Sequence, residues 1–201
     1  MGSYKLSFTA VGLALADSIK VAEVFFSCNE WTATRRLLRE NNILQSRTIS
    51  RDKRVIQELT MRLSQLTPEQ LLLLIEGSLE EQKLVLWFVL CKTYTFIRDF
   101  AMEVLHQKFL IMEKFVTSND VNAFFLRKLD TRLELEKITE STKLKILSQI
   151  VHMMREANLV NANDEIIRVI PSSRLAIALS PDSEFAYKIY PAFPEEFEVL
   201  L

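Results

Sequence analysis

Ser78-Leu79-Glu80-Glu81-Gln82-Lys83-Leu84-Val85-Leu86-Trp87-Phe88-Val89-Leu90 decides the fold class. Its first four residues form a capping box. The serine hydroxyl accepts the N–H three residues on, and the glutamate there accepts the serine's own N–H. An unbroken apolar run follows. A helix turns 100° per residue, so such a run leaves no polar face, and a helix apolar on every side belongs at the centre of a bundle. Just upstream, Thr67-Pro68-Glu69-Gln70 is a second start of the same kind, with proline at the first helical position. Two consecutive helices are predicted, the second surrounded by the rest.

The same reading extends in both directions. Pro68 is the only proline before Pro171, so 102 residues pass with no proline and with Gly77 as their one glycine. Thr9 to Phe26 reads as a first helix, and Trp31 to Glu40 as a short two-faced one ended by Asn41 and Asn42. Ser50 is placed to cap a helix whose apolar stripe is Val55, Ile56, Leu59, Leu63 and Leu66. After the central helix, Phe96, Ile97, Phe100, Val104, Leu105 and Phe109 mark another, and Ser118 or Asn119 opens a shorter one. Ser141 to Ala157 is cleanly amphipathic, with Asn158 as its stop, and residues 172 to 180 suggest one more short helix. Between them, Asn161-Ala-Asn-Asp164 precedes the β-branched run Glu165-Ile-Ile-Arg-Val-Ile170. A turn cluster before such a run is a strand signal. The expectation is therefore a mainly α, compact helical bundle with a helix-turn-helix-like N-terminal part and a small C-terminal winged-helix-like β hairpin. Three stretches are expected within one compact unit: 1–66, 67–117 and 118–201.

Glycine is too scarce for phosphate-loop chemistry. Gly2, Gly12 and Gly77 are the only three, so no GxGxxG, GxxxxGK[ST] or GxSxG is present. Two histidines, His106 and His152, and two separated cysteines, Cys28 and Cys91, form no zinc spacing and no triad signature. Glu81-Gln82-Lys83 matches the E-x-K of metal nucleases, but it lies at a capped helix start, whereas that motif needs a strand. No enzyme, metal or cofactor is expected. The cysteines fit free thiols in a reducing compartment. The longest apolar runs fall short of the roughly 18 residues that span a bilayer, and Asp17 and Lys20 stand where a signal-peptide cleavage site would lie. A cytoplasmic chain that neither spans nor is anchored to a membrane is the expectation.

Charge is what remains. The formal net charge is −1, yet residues 31 to 62 carry eight basic groups against three acidic ones, a local +5, while residues 171 to 201 carry two against five. Arg35, Arg36 and Arg39 fall within about 100° of one helix face. Arg47 lies in the following connection, and Arg51, Lys53 and Arg54 lead the next helix. A short helix, a connection and a second helix led by cations is the outline of a loose helix-turn-helix, in which the second helix offers its N-terminal side chains to a DNA groove. The plain alternative is a solvated basic face, or pairing with Glu30, Glu40 and Glu58. A second stripe, Lys145, Ser148, Gln149, His152 and Arg155, suits recognition or an ordinary wet helix face equally. The tail gathers Phe185, Tyr187, Tyr190, Phe193 and Phe197 and is expected to pack despite its acidity.

An ordered set of short motifs resembles one family. It runs Tyr4-Lys-Leu-Ser-Phe-Thr-Ala-Val-Gly-Leu13, Ser18 to Ala22, Leu44-Gln-Ser-Arg-Thr48, Leu74-Ile-Glu-Gly-Ser78, Leu86-Trp87 and Phe96-Ile-Arg-Asp-Phe-Ala-Met-Glu-Val-Leu105. It ends with Met154-Arg-Glu-Ala-Asn-Leu159, Pro171-Ser-Ser-Arg-Leu175 and Ile189-Tyr-Pro191. This order is similar to the BrxA family of the bacterial BREX phage-exclusion systems. The resemblance implies a small non-catalytic helical subunit of a defence locus, partly like the RNA-binding NusB fold and thought to bind DNA. The expected partners are double-stranded DNA and other BREX subunits, with self-association left open. An RNA-binding role like that of NusB, or a protein-only adaptor docking through the acidic tail, are the competing readings. The family has been described as an inner-membrane protein, against which the short apolar runs argue. The resemblance assigns no functional residues. Those singled out here, Arg35, Arg36, Arg39, Arg47, Arg51, Lys53, Arg54, Lys145, Gln149 and Arg155, rest on charge and helix geometry.

Overall fold

The computed structural model describes residues 4–198. A short 3₁₀ turn (Ser7–Ala10) leads to α1 (Leu15–Cys28), α2 (Trp31–Glu40), α3 (Ile49–Leu63), α4 (Pro68–Glu76) and α5 (Leu79–Thr93). Next, α6 (Thr95–Phe100) continues through one π-helical stretch (Ala101–Leu105) into α7 (His106–Leu110). Then come α8 (Ser118–Leu129), α9 (Leu133–Glu136), α10 (Glu140–Glu156) and α11 (Ser173–Leu179), and short helical turns to Glu198.

Both capping boxes form. Thr67 and Gln70 satisfy each other's backbone N–H groups at the start of α4, and Ser78 and Glu81 do so at the start of α5. Leu84 to Cys91 is buried on every face, each large apolar side chain contributing about 1.5–3 kcal/mol. Around α5 lie α1, α3, α4, α6 and α10. The tail closes the far side. Trp87 Nε1 donates to the Ile189 carbonyl at 2.9 Å, Tyr190 Oη donates to the Leu84 carbonyl at 2.8 Å, and Phe185 stacks on Phe88 at 5.5 Å. The acidic tail thus packs, as its aromatic content predicts. A single hydrophobic cluster draws on all these elements.

The first helix begins later than its apolar pattern suggests. Val11 is extended, and the carbonyls of Val11 and Gly12 accept from Arg62 Nη2 and Nη1, both at 2.7 Å. Arg62 is 2% exposed and also donates through Nε to Glu58 Oε1 at 2.8 Å, while Tyr94 Oη donates to the same oxygen. On the other side of this loop, the Leu13 N–H donates to Glu156 Oε2 at 2.9 Å. The Val11–Leu13 segment is therefore gripped between the C-terminal ends of α3 and α10.

The expected β hairpin does not form: among the described residues there is no strand, only the isolated bridges Phe115↔Glu165 and Val160↔Ile166. The reason is how the 165–170 run distributes its hydrogen bonds. The Ile166 N–H donates to the Lys114 carbonyl, Ile167 to Leu159 and Val169 to Pro191. With the Asn161 N–H donating to Glu165, the local pairing reaches two hydrogen bonds around the Val160↔Ile166 bridge; Ile166 and Val169 turn to the distant Lys114 and Pro191, so it ends there and no ladder accumulates. Asn161 Oδ1 accepts from the Asn163 and Glu165 N–H groups, which tightens the turn and shortens the pairing further. The winged element predicted there is absent.

Candidate nucleic-acid interface

The basic segment is built by α2, α3 and the eight-residue connection between them. Glu30 caps α2, its carboxylate accepting the Ala33 N–H at 3.3 Å, and Thr34 and Leu38 face the core. Arg36 and Arg39 stand exposed and Arg35 half-buried. Asn42 ends the helix region with φ 45°, as its residue type predicts. The cap of α3 is Thr48, whose Oγ1 accepts the Arg51 N–H at 3.2 Å; Ser50 already lies inside the helix. Val55, Ile56, Leu59 and Leu63 point inward, while Arg51, Lys53 and Arg54 remain exposed.

Two recesses open between these helices. The larger, about 500 Å³, is walled by Arg39, Arg47, Lys53, Ile49 and Asp52 among others; the smaller, about 210 Å³, by Arg35, Arg39, Lys53, Ile56 and Gln57. Arg39 and Lys53 belong to both. The fold thus gathers Arg35, Arg39, Arg47 and Lys53, whereas Arg36, Arg51 and Arg54 lie outside both recesses. Arg39 Nε donates to the Arg35 carbonyl at 3.0 Å, which lays that side chain along its own helix.

The acids that could have neutralised this face do not. Glu58 turns to the core and pairs with Arg62, and Glu30 is spent as a cap. None of the seven cations from Arg35 to Arg54 forms an ion pair among the described residues.

The second stripe is different. Arg155 is held by Asp164, Nη2 and Nε lying 2.6 and 3.1 Å from Oδ1. His152 Nε2 sits 3.6 Å from Glu156. Gln149 is half-buried, its amide so close to Gly12 that a Cβ there would lie 3.2 Å from Nε2 and 2.8 Å from Glu156 Oε2. Lys145 alone among Lys145, Gln149 and Arg155 stands exposed without an ion pair among the described residues. Neither α2–α3 recess includes a residue of α10.

One residue escaped the sequence reading. Asp52 is only 9% exposed, lines the larger recess, and its Oδ1 has no hydrogen-bond partner. Leaving a buried acceptor without a donor costs about 1–3 kcal/mol. The signal was present: Asp52, Val55, Ile56 and Leu59 follow the i, i+3, i+4, i+7 spacing of a buried face. Ile49, beside it, is 90% exposed. Among the described residues no group of three or more His, Cys, Asp or Glu is placed to hold a metal, and no helix is long and apolar enough to cross a membrane.

A crystal structure of an uncharacterized protein from Magnetospirillum magneticum shares this fold, with a TM-score of 0.77 over 94% of this chain and 98% of that one, at 16% identity. In sequence, the chain is 28% identical over 130 residues to the BREX protein BrxA of Bacillus cereus (strain H3081.97), a match spanning 63% of this chain and 65% of the relative. The family model BrxA matches residues 2–182. With residues 2–182 matched, this protein belongs to the BrxA family.

Proposed function

We propose that this chain is a non-catalytic, double-stranded-DNA-binding accessory subunit of a BREX anti-phage system, and that α2, α3 and their connection form the contact. The observation that carries the reading is the convergence of Arg35, Arg39, Arg47 and Lys53 on adjoining recesses with no acid pairing any of them among the described residues. Guanidinium and ammonium groups without an acid partner suit phosphate oxygens, arginine in a bidentate fork. Contacts of this kind position a protein on a duplex without reading sequence. Lys145, Gln149 and Arg155 are given at most a peripheral part, since Arg155 is already paired with Asp164 and Gln149 is half-buried against Gly12.

The RNA reading draws less support. Trp87, Phe88, Phe96, Phe100, Phe124 and Phe125 are all buried, and readers of single-stranded RNA use exposed aromatic rings for stacking. Other BREX subunits are the proposed protein partners. Tyr190 and Phe197 of the acidic tail are buried and Phe185 stacks on Phe88, so an adaptor role resting on these rings is less favoured. Gel mobility shift on a long duplex at low salt tests the proposal. Wild type shifts the duplex, Arg35, Arg39, Arg47 and Lys53 changed together to Ala weaken the shift strongly, and Lys145→Ala changes it little. An unaltered shift in the fourfold variant refutes the assignment.

A further inference from the structure

Ile49 is the one apolar side chain among the described residues that line the larger α2–α3 recess; the others are charged or polar, Arg39, Arg47 and Lys53 among them. It is 90% exposed, more than any other large hydrophobic residue described. Thr48 caps α3, so Ile49 is the first residue of a 15-residue helix, and its branched Cβ restricts the side chain to few rotamers. The isoleucine is thus held out on regular backbone. Arg47, Thr48 and Ser50 on either side are exposed as well, so the apolar surface ends at this one side chain. Arg51 and Arg54, further along α3, are exposed but lie outside both recesses. The cationic surface therefore continues past the recess that Ile49 borders.

A protein partner does not match this pattern. Protein interfaces gather apolar residues at their centre and exclude charge from it, whereas here a single isoleucine stands among cations that no acid pairs. A DNA duplex does match it, since its anionic backbones border a stack of apolar ring faces. Proteins that bend DNA insert an apolar side chain, isoleucine among those used, between two base pairs, and the bent duplex then wraps more of the protein surface. We infer that Ile49 is such a wedge: it enters a base step, partly unstacks it and bends the duplex, while Arg39, Arg47 and Lys53 hold the phosphates beside that step. Bending is an activity beyond duplex binding, and the inference rests on the DNA-binding reading above.

Ligase-mediated circularisation of a duplex of about 120 bp tests it. Such a fragment is shorter than the persistence length of about 150 bp and closes rarely unless it is bent. Fluorescence anisotropy at low salt first fixes, for each protein, the concentration that saturates the duplex, so that weaker binding is not mistaken for lost bending. At saturation the wild-type chain is expected to raise circle formation about tenfold over the naked duplex, Ile49→Ala to lose most of that gain, and Ile49→Leu to keep it. Ile49 is 90% exposed, so both variants are expected to fold as the wild type does, which circular dichroism checks. A saturating wild-type chain that leaves circle formation unchanged, or a gain that survives in Ile49→Ala, overturns the wedge and leaves duplex binding in place. No binding of the wild-type chain to the duplex at low salt overturns both readings.

Discussion

Replacing Arg62 tests how the N-terminal segment is tied to the bundle. The side chain is almost wholly buried and makes three hydrogen bonds of 2.7–2.8 Å, to Glu58 and to the Val11 and Gly12 carbonyls. It also lies 5.5 Å over the Tyr94 ring. Arg62→Ala leaves Glu58 buried without its counter-charge, which alone costs about 3–5 kcal/mol. Two carbonyls lose their donors as well, at about 1–3 kcal/mol each if they stay dry. These terms overlap, and the total expected is about 5 kcal/mol, comparable with the whole stability of a marginal domain. The partner experiment separates them. Removing both charges, with Arg62→Met and Glu58→Leu, relieves the stranded carboxylate and retains the carbonyl penalty and that of the Tyr94 hydroxyl, which loses its Glu58 acceptor, so the double variant is expected to be more stable than Arg62→Ala. Urea unfolding followed by circular dichroism, with tryptophan fluorescence from Trp31 and Trp87 as a second probe, supplies the values. A loss below about 1 kcal/mol for Arg62→Ala, or a double variant no better than the single one, refutes the reasoning.

Two further predictions concern titration and thiol chemistry. The Ser172 hydroxyl bonded to Glu81 holds its carboxyl below the usual 4.5 despite burial, helped by the Ser78 N–H. Burial opposes the charge on Asp120, but Lys108 and Thr117 outweigh it and keep that carboxyl below 3.8. Folded values below the unfolded ones give stability that is complete above the unfolded pKa and is lost as pH falls through the folded one. The urea midpoint is therefore expected to drop between about pH 5 and about pH 3, and to drop less in Glu81→Gln; equal slopes count against this. Burial pushes the Cys91 thiol well up, whereas Cys28 is partly exposed. Under native conditions N-ethylmaleimide should label Cys28 first and Cys91 only on unfolding, as read by peptide mass spectrometry. Early labelling of Cys91 contradicts the packing around α5.

The parts of the fold that could be read from sequence are those set by local chemistry. The boxes at Thr67–Gln70 and Ser78–Glu81, the all-apolar helix between Leu84 and Leu90, and the asparagine stops at Asn42 and Asn158 each depend on residues within a few positions of one another. Asn158, with φ 59°, does the work that glycine commonly does. What escaped was decided by distant partners. The delayed start of α1 depends on Arg62, some fifty positions away, drawing Val11 and Gly12 out of helical geometry. The 165–170 run has strand composition, but beyond one local bridge at Val160 and Ile166 its hydrogen bonds go to Lys114 and Pro191, and composition cannot name partners. The basic face was legible as charge because Arg35, Arg39, Arg47 and Lys53 lie close in sequence. The engagement of Arg155 by Asp164 and the close approach of Gln149 to Gly12 required the folded chain. Asp52 is legible as buried from its spacing, but by composition it is only one acid among cations.

Binding to a long duplex as a function of salt tests the central claim most directly. Each neutralised phosphate contributes about −0.9 to the slope of log K against log salt. Four cations at the α2–α3 recesses therefore predict a slope of about −3 to −4, steeper if Arg36, Arg51 and Arg54 also reach phosphates. Changing Arg39 and Lys53 to Ala should flatten it by about 2, with folding unaltered by circular dichroism. Absence of binding at low salt, or a slope unchanged in that variant, contradicts the account.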